Sequence, residues 1–541
     1  MTFFAYRTWL GSLLAGTALL LVVAPRLTGC TVAETRPPKV CDTLGDKLNC
    51  GACGHTCGAA ESCIAGACVT DVSCESGQTV CGGSCVDVAK DSAHCGACDA
   101  RCELGTACAG GTCLALPSNI KHVVLISQEN HSFDSYLGKY CKAPAYSNPS
   151  CTAGPNCCEA APALEPTGAS PELLDDLNNA ARDRNHAHAC ELDQIHGGLM
   201  DRFVVGSTYV HPPLLEQPCS TPHNWAVADA KSAAAYWAFA DKGALADRYF
   251  QPIAGGSSSN DMYFVVARYR FTDNDLYPDS INSGCALPLP VKKISWKASI
   301  TIGDVLLEHG KTFASYVQGY AAALESWKKA KVCPPPAADC PTATFPFTLA
   351  CKYDAADVPF QYFKQFADVP AHMKDYDELA TDLANGTLPE FVYIKAMAFA
   401  NEHPGVANIS RGMKFVADTV AQIEASKVAD DTLILITMDE GGGFFDHVPP
   451  PPPVPTVYDA DGDGMAVPYG TRVPTIALGR FAKKGFVSHV VLEHSSIVKF
   501  LELNFGGPGA VGVLGGRDGY VNNLGSLLDP KTTGLVIPDG P

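Results

Sequence analysis

His122-Val123-Val124-Leu125-Ile126-Ser127 runs without a break into Gln128-Glu129-Asn130-His131-Ser132-Phe133-Asp134. The first six residues are apolar and rich in β-branched side chains, which predicts a strand buried on both faces. The polar cluster behind it predicts the place where the chain leaves a sheet. Thr432 to Met438 (TLILITM) repeats the pattern and is followed by Asp439-Glu440-Gly441-Gly442-Gly443-Phe444-Phe445-Asp446-His447. Pro474 to Gly479 (PTIALG) gives a third apolar run. Helical patterns lie between and after these runs, as in Arg411 to Ser426 and Ser495 to Leu503. Strand and helix in alternation predict an α/β fold with a mostly parallel, doubly wound sheet. Pro449 to Pro453 has no amide hydrogen to give to a helix or a central strand, so it reads as a rigid loop.

Open parallel sheets bind ligands beyond the carboxyl ends of their strands. Both long apolar runs deliver acids to that position. Carboxylates gathered on one rim repel each other unless a cation neutralises them. Ligation by carboxylates and an Asn amide suits one hard or borderline divalent ion: zinc, calcium, magnesium or manganese. The plainer alternative is that these acids cap helices or pair with Lys and Arg.

The chain has 541 residues, enough for a large core. Its formal net charge of -18 disfavours nonspecific binding to nucleic acid or anionic lipid. Residues 1 to 30 have a different character: Arg7 precedes an apolar run from Trp9 to Val23, the layout of a signal peptide. Leu27-Thr28-Gly29-Cys30 resembles a bacterial lipobox, which would make Cys30 a lipid anchor and the chain's only membrane attachment. The chain is thus expected outside the cytoplasm, secreted or as a lipoprotein.

There are 25 cysteines, and setting Cys30 aside leaves an even number. Residues 31 to 115 hold most of them in two copies of one pattern. Cys41, Cys50, Cys53, Cys57, Cys63 and Cys68 form the first; Cys85, Cys95, Cys98, Cys102, Cys108 and Cys113 form the second. Large apolar residues are scarce here, so disulfides must replace a core. Zinc held by the Cys-x-x-Cys pairs is the rival reading, and export favours disulfides. The repeats are similar to cysteine-rich modules near the start of exported proteins of myxobacterial type. They read as a stalk or adhesion module able to bind a surface partner, and residues 116 to 541 as the catalytic domain.

Glu129-Asn130-His131-Ser132-Phe133-Asp134-Ser135-Tyr136-Leu137-Gly138 resembles the opening motif of the bacterial phospholipase C and acid phosphatase family. Asp439-Glu440 through Asp446-His447-Val448-Pro449 resembles its second strong motif. Glu402-His403-Pro404, Arg472-Val473-Pro474 and Glu493-His494-Ser495-Ser496 match shorter ones, in the family's order. The resemblance implies an alkaline-phosphatase-like three-layer α/β sandwich. It implies Glu129, Asn130, Asp439 and Glu440 as metal ligands. It sets Gly255-Gly256-Ser257-Ser258-Ser259-Asn260 on the family's nucleophile turn, making Ser257 both nucleophile and ligand. His186 and His403 fall on active-site histidines, and Asn130, Gly256 and His447 on substrate contacts. Physically, a metal-bound serine hydroxyl is activated toward phosphorus, histidines hold the phosphoryl oxygens, and Gly255 and Gly256 let backbone come close.

The implied activity is hydrolysis of phosphodiesters of phospholipase C type. A phosphomonoesterase of acid phosphatase type is one alternative, and a catalytically inactive, surface-attached binding protein another. Some residues keep plainer readings. Gly255 to Ser259 has the composition of a surface loop, Asp446 and His447 could shape their loop, and His494 could start a helix. The family's phosphatases carry a His pair shortly before Pro-Phe. Here Ala356-Asp357-Val358 precedes Pro359-Phe360, leaving His309 or His372 to stand in. Asp459-Ala460-Asp461-Gly462-Asp463-Gly464 begins like a calcium loop but has Gly470 where the closing Glu belongs, so it reads as an acidic surface loop.

Overall fold

The computed structural model describes residues 41–58, 61–70, 74, 76–82, 84–91, 93–102, 106–114, 118–209, 218–285, 291–338, 340 and 351–540. The expected signal segment and Cys30 lie outside the described residues. There are two compact units, one reaching to Ser73 and one running from Cys74 to Pro541. The division falls inside the cysteine-rich stretch.

In the first unit Cys41–Cys53, Cys50–Cys63 and Cys57–Cys68 tie a two-stranded hairpin, Glu61–Ile64 with Ala67–Thr70, to the chain before it. The second unit begins with Cys74–Cys85, Cys81–Cys98, Cys95–Cys108 and Cys102–Cys113. This corrects the reading of the repeat. Cys81, which pairs with Cys98, is the counterpart of Cys41, while Cys85 closes a separate bridge to Cys74. Further on, Cys141–Cys158, Cys151–Cys157, Cys190–Cys219, Cys285–Cys333 and Cys340–Cys351 complete the set. Every cysteine from Cys41 to Cys351 is bridged, which leaves no thiolate for zinc.

The body of the second unit is built on eight strands. In chain order they are β1 (His122–Gln128), β2 (Ala244–Ala246), β3 (Phe313–Val317), β4 (Met373–Asp375), β5 (Phe391–Lys395), β6 (Thr432–Met438), β7 (Thr475–Leu478) and β8 (Phe486–Ser488). Their order across the sheet is β4-β3-β5-β1-β6-β7-β2-β8. The two runs that decide the fold are therefore central neighbours, parallel and in register from His122 opposite Thr432 to Gln128 opposite Met438. All pairings are parallel except those of β7, which runs against both β6 and β2. Every residue of β3, β5, β6 and β7 is buried, as expected of strands covered on both faces.

The helices that matter for the site are α1 (Phe133–Leu137), α2 (His188–Ile195), α3 (Ser257–Asp261), α4 (Ile409–Glu424) and α5 (His494–Leu501). α4 buries Ile409, Met413, Val416, Val420 and Ile423, an apolar stripe at three- and four-residue spacing. Segment Ala234–Lys242 packs against α4, and Tyr263–Val266 against α5. This is the three-layer sandwich with a mostly parallel sheet that the sequence predicts. No helix among the described residues is long and apolar enough to cross a membrane. Asp459 is buried and accepts from Tyr263 Oη at 2.6 Å and Arg517 Nε at 2.8 Å, so it is spent on the core and closes no calcium loop.

Candidate active site

Four of the expected ligands sit just past two neighbouring strands: Glu129 and Asn130 after β1, Asp439 and Glu440 after β6. All four are buried. Asp439 N–H donates to Gln128 O (3.0 Å), which carries the ladder one step past the strand ends. Asn130 adopts φ +61°, a conformation that Asn tolerates better than most residues. Its N–H donates to Asp439 Oδ1 (3.0 Å) and its Nδ2 to Glu440 Oε1 (2.6 Å). Gly442 is required behind it, because a Cβ there would lie 2.3 Å from Asn130 O.

Ser257 is the first residue of α3, and its Oγ donates to Glu129 Oε2 at 3.0 Å. The turn before it is held from within. Gly255 N–H donates to Glu191 Oε2 (2.8 Å) and Gly256 N–H to Asp273 Oδ1 (3.1 Å). Both N–H groups are thus engaged by carboxylates. Glu191 reaches further. Its Oε2 also accepts from Gln251 Nε2 (2.8 Å), while Gln251 Oε1 accepts from Gly441 N–H (2.6 Å). Two side chains thus connect the serine turn to the loop after β6. Burial pushes the Glu191 carboxyl up to about 8.

Lys395, the last residue of β5, is fully buried and ion-paired with Glu129 Oε1. Burial opposes ionisation of Glu129, but the Lys395 ammonium prevails and holds its carboxyl below the ordinary value. Asp439 and Glu440 are shifted the other way. Burial raises both, reinforced by the charge of Glu129 on Asp439 and of Glu191 on Glu440. Asp439 Oδ2 and Asn130 Oδ1 are buried acceptors without a hydrogen-bond partner. Unsatisfied acceptors of this kind are uncommon in a folded interior. With Glu129, Glu440 and the Ser257 hydroxyl they form an all-oxygen donor set, which fits a divalent cation.

His186 and His403 meet beside this set, ring centroids 6.1 Å apart and edge-on. Each points Nδ1 at a carbonyl, Arg184 O for His186 and Pro404 O for His403, both at 2.7 Å. That partner takes up Nδ1 and leaves Nε2 unclaimed by the backbone. His186 Nε2 lies 3.4 Å from Asn130 Nδ2 and 3.6 Å from Glu440 Oε1. His403 is placed by a strained turn: Glu402 has φ +75°, and its carboxylate accepts from the hydroxyls of Tyr136 and Tyr236 and from Gln128 Nε2. Gly412 on α4 makes room, since a Cβ there would lie 2.1 Å from Glu402 Cγ.

His447 does not join the oxygen set. It is buried, with Nδ1 on Asp134 Oδ2 (2.8 Å) and Nε2 on Glu159 Oε2 (3.1 Å). Arg472 completes this cluster through Asp446 (2.8 Å) and Asp134 (3.2 Å). With both ring nitrogens occupied, His447 braces the two motif loops against each other, which corrects its reading as a substrate contact. His494 starts α5 as expected, and its Nε2 meets Asp439 O at 2.6 Å. Burial pushes its imidazole down to about 3, so it is neutral and donates to that carbonyl. His131 is buried between Glu129 O (2.9 Å) and Asn179 Oδ1 (3.0 Å). Neither candidate stand-in reaches the site. His372 stacks on Phe313 at the amino end of β3, and His309 caps the helix before that strand. Lys395, Glu191 and Asp273 were not foreseen; Lys395 alone carries a local sign, a charge closing the apolar run Phe391–Lys395.

Comparison with known proteins bears on the same region. Residues 70–116 are similar to the stigma-specific STIG1-like protein family. Phospholipase C B of Mycobacterium tuberculosis is 23% identical over 440 residues, covering 76% of this chain and 78% of that protein. The non-hemolytic phospholipase C of Burkholderia pseudomallei is 25% identical over 453 residues, covering 72% and 57%. Among solved structures, a protein of the alkaline phosphatase superfamily from Vibrio parahaemolyticus aligns with a TM-score of 0.30 at 10% identity, over 72% of this chain and 67% of that one. The phosphoesterase family matches residues 120–508, every strand of the sheet and the whole oxygen set, so the chain belongs to the phosphoesterase family and is a hydrolase of phosphoester bonds.

Proposed function

We propose that this chain is an exported, metal-dependent phosphodiesterase of phospholipase C type that uses Ser257 as its nucleophile. The observation that carries the reading is the 3.0 Å contact between Ser257 Oγ and Glu129 Oε2, within one oxygen set that also holds Asn130, Asp439 and Glu440. A divalent cation bound to this set would favour the alkoxide of Ser257 and offset phosphate charge. The chain's own groups do the rest. Glu191 and Asp273 fix the turn that aims the hydroxyl, and the Glu129 carboxylate, kept ionised by Lys395, accepts its hydrogen. In their protonated form His186 and His403 would donate from Nε2 to phosphoryl oxygens or pass a proton to the departing alcohol. The Oγ–P bond forms as the ester P–O bond breaks, and water then releases phosphate ester from Ser257. The phospholipase C relatives, matched over most of this chain, support the diester over the monoester. Export is supported by the bridging of every cysteine from Cys41 to Cys351, a state that belongs to oxidising compartments. The test is turnover of a nitrophenyl phosphorylcholine diester against a nitrophenyl phosphate monoester, each with and without chelator. The reading requires chelator-sensitive turnover with the diester preferred; no turnover of either across several metals and pH values refutes it.

A further inference from the structure

Two residues before His186, Arg184 carries a guanidinium that the chemistry above does not use. The residue is only 3% exposed. Its Nε donates to His223 O at 2.7 Å, and its Cζ lies 3.7 Å from the centre of the Phe444 ring, in the loop after β6. Nη1 and Nη2 are buried and have no hydrogen-bond partner among the described residues. A guanidinium is a donor at every N–H and has no acceptor. Buried polar groups are nearly always hydrogen-bonded, and a buried charge is costly unless a group of opposite sign meets it. The free side of this fork is therefore built for an acceptor that the chain does not provide.

The nearby acids are engaged elsewhere. Asp183 Oδ1 accepts from the Arg184 backbone N–H at 2.8 Å, not from its side chain. Glu172 Oε1 is paired with His223 Nδ1 at 2.6 Å. Arg182 adds a second positive charge. Burial pulls the Arg184 guanidinium down to about 9 against the pull of both acids, and it stays protonated at neutral pH. Against this group lies a cavity of about 250 Å³, lined by Arg182, Asp183, Arg184, Thr221, His223 and Asn224 among others. It is smaller than the roughly 300–1,000 Å³ of sites for drug-sized ligands, so it suits a small group. Thr221 Oγ1 already accepts from His223 N–H (3.1 Å), and Asn224 Nδ2 donates to Phe203 O (3.0 Å) and Cys219 O (2.7 Å). The two arginines are left as the cavity's charged donors.

We propose that Arg184, assisted by Arg182, binds a small oxyanion in this cavity, a phosphate or carboxylate group distinct from the phosphate under attack. The planar fork of a guanidinium matches two oxygens of either group, and the stack on Phe444 holds that fork in one plane. The site adjoins the histidine pair through Asp183, which lines the cavity and whose Oδ1 lies 3.8 Å from His186 Nδ1. The anion has two sources with the same chemistry, a free ion in solution or an acidic group on the substrate. The site depends neither on Ser257 as nucleophile nor on a bound cation.

The test is calorimetric titration of the full chain with inorganic phosphate in the presence of chelator, which leaves the oxygen set without a cation. Wild type should show one saturable site. Arg184→Gln should weaken it about tenfold or more, and Arg184→Lys less, because an ammonium keeps the charge but loses the fork. His186→Ala should retain it. Should Arg184→Gln fail to fold, Arg184→Lys and the thermal midpoint decide: phosphate should raise the midpoint of wild type saturably and that of Arg184→Lys less, while chloride at equal ionic strength raises neither. Absence of saturable binding to wild type overturns the site. So does full retention in both Arg184 variants, or loss in His186→Ala, which puts the anion on the histidine pair. Kinetics with the metal-loaded enzyme then name the source, using two nitrophenyl phosphodiesters, one esterified with glycerol and one with an alcohol that carries a carboxylate. A rise in KM for the carboxylate ester alone in Arg184→Gln assigns the anion to the substrate. Loss in that variant of an effect of added phosphate on both esters assigns it to solution. If wild type cleaves neither ester yet binds phosphate through Arg184, the site stands and the catalytic reading falls.

Discussion

Ser257 Oγ donates to Glu129 Oε2 across 3.0 Å, although 128 residues separate the two in the chain. One residue opens a short helix and the other ends the excursion of a central strand. Their meeting places a hydroxyl at the edge of a carboxylate cluster. Replacing Ser257 with Ala removes the proposed nucleophile and little else. Turnover should fall by about 10³-fold or more, while the thermal midpoint stays close to wild type. Retained turnover in nitrophenyl ester assays would exclude Ser257 from this role.

The other oxygen of Glu129 belongs to Lys395. Lys395→Met would leave a buried carboxylate without its partner, which typically costs about 3–5 kcal/mol. Chemical denaturation should show that loss in metal-free protein. A bound cation should restore part of it, because it supplies the missing positive charge. A variant as stable as wild type without metal would contradict the pairing.

Gly442 has φ +64° and no room for a side chain. Gly442→Ala forces the new methyl against Asn130 O, or moves Asn130. We expect a cost of about 1–3 kcal/mol together with loss of metal affinity, read as metal content after dialysis against graded chelator. A fully loaded variant would show that the Asn130 loop tolerates the shift.

His447 links stability to pH. Burial alone would lower its pKa, but Asp134 and Glu159 raise it from the ordinary 6.5 to about 9. The protonated ring is thus the native form. Its contribution is complete below about pH 6.5 and is lost as pH rises through about 9, on the order of 3 kcal/mol in all. Unfolding free energies across that window should decline in wild type and flatten in His447→Gln; parallel curves would refute the assignment.

Much of this was legible in the sequence, for reasons that differ residue by residue. His122–Ser127 and Thr432–Met438 announce themselves because a central strand buried on both faces needs an unbroken apolar run. The helix read at residues 411–426 appears at 409–424 for the same kind of reason, a regular stripe. Ala244–Ala246 and Phe486–Ser488 escaped notice, since three residues are too few to show any period. The direction of Thr475–Leu478 was hidden as well, because side-chain pattern does not record which way a strand points. The acids at the strand ends were readable from position alone. Their partners were not: nothing near Lys395 names Glu129, and nothing near His447 says that Asp134 and Glu159 will occupy both its nitrogens.

The reversal of β7 has a consequence for how this enzyme can vary. Its first residues, rather than its last, abut the end of β6, with Thr475 opposite Thr437. The stretch between Glu440 and Arg472 therefore leaves and returns on a single edge, like a flap sewn along one seam. Additions or deletions at its exposed tip, around Gly462 to Met465, can change the length of that flap while every strand keeps its partner and register.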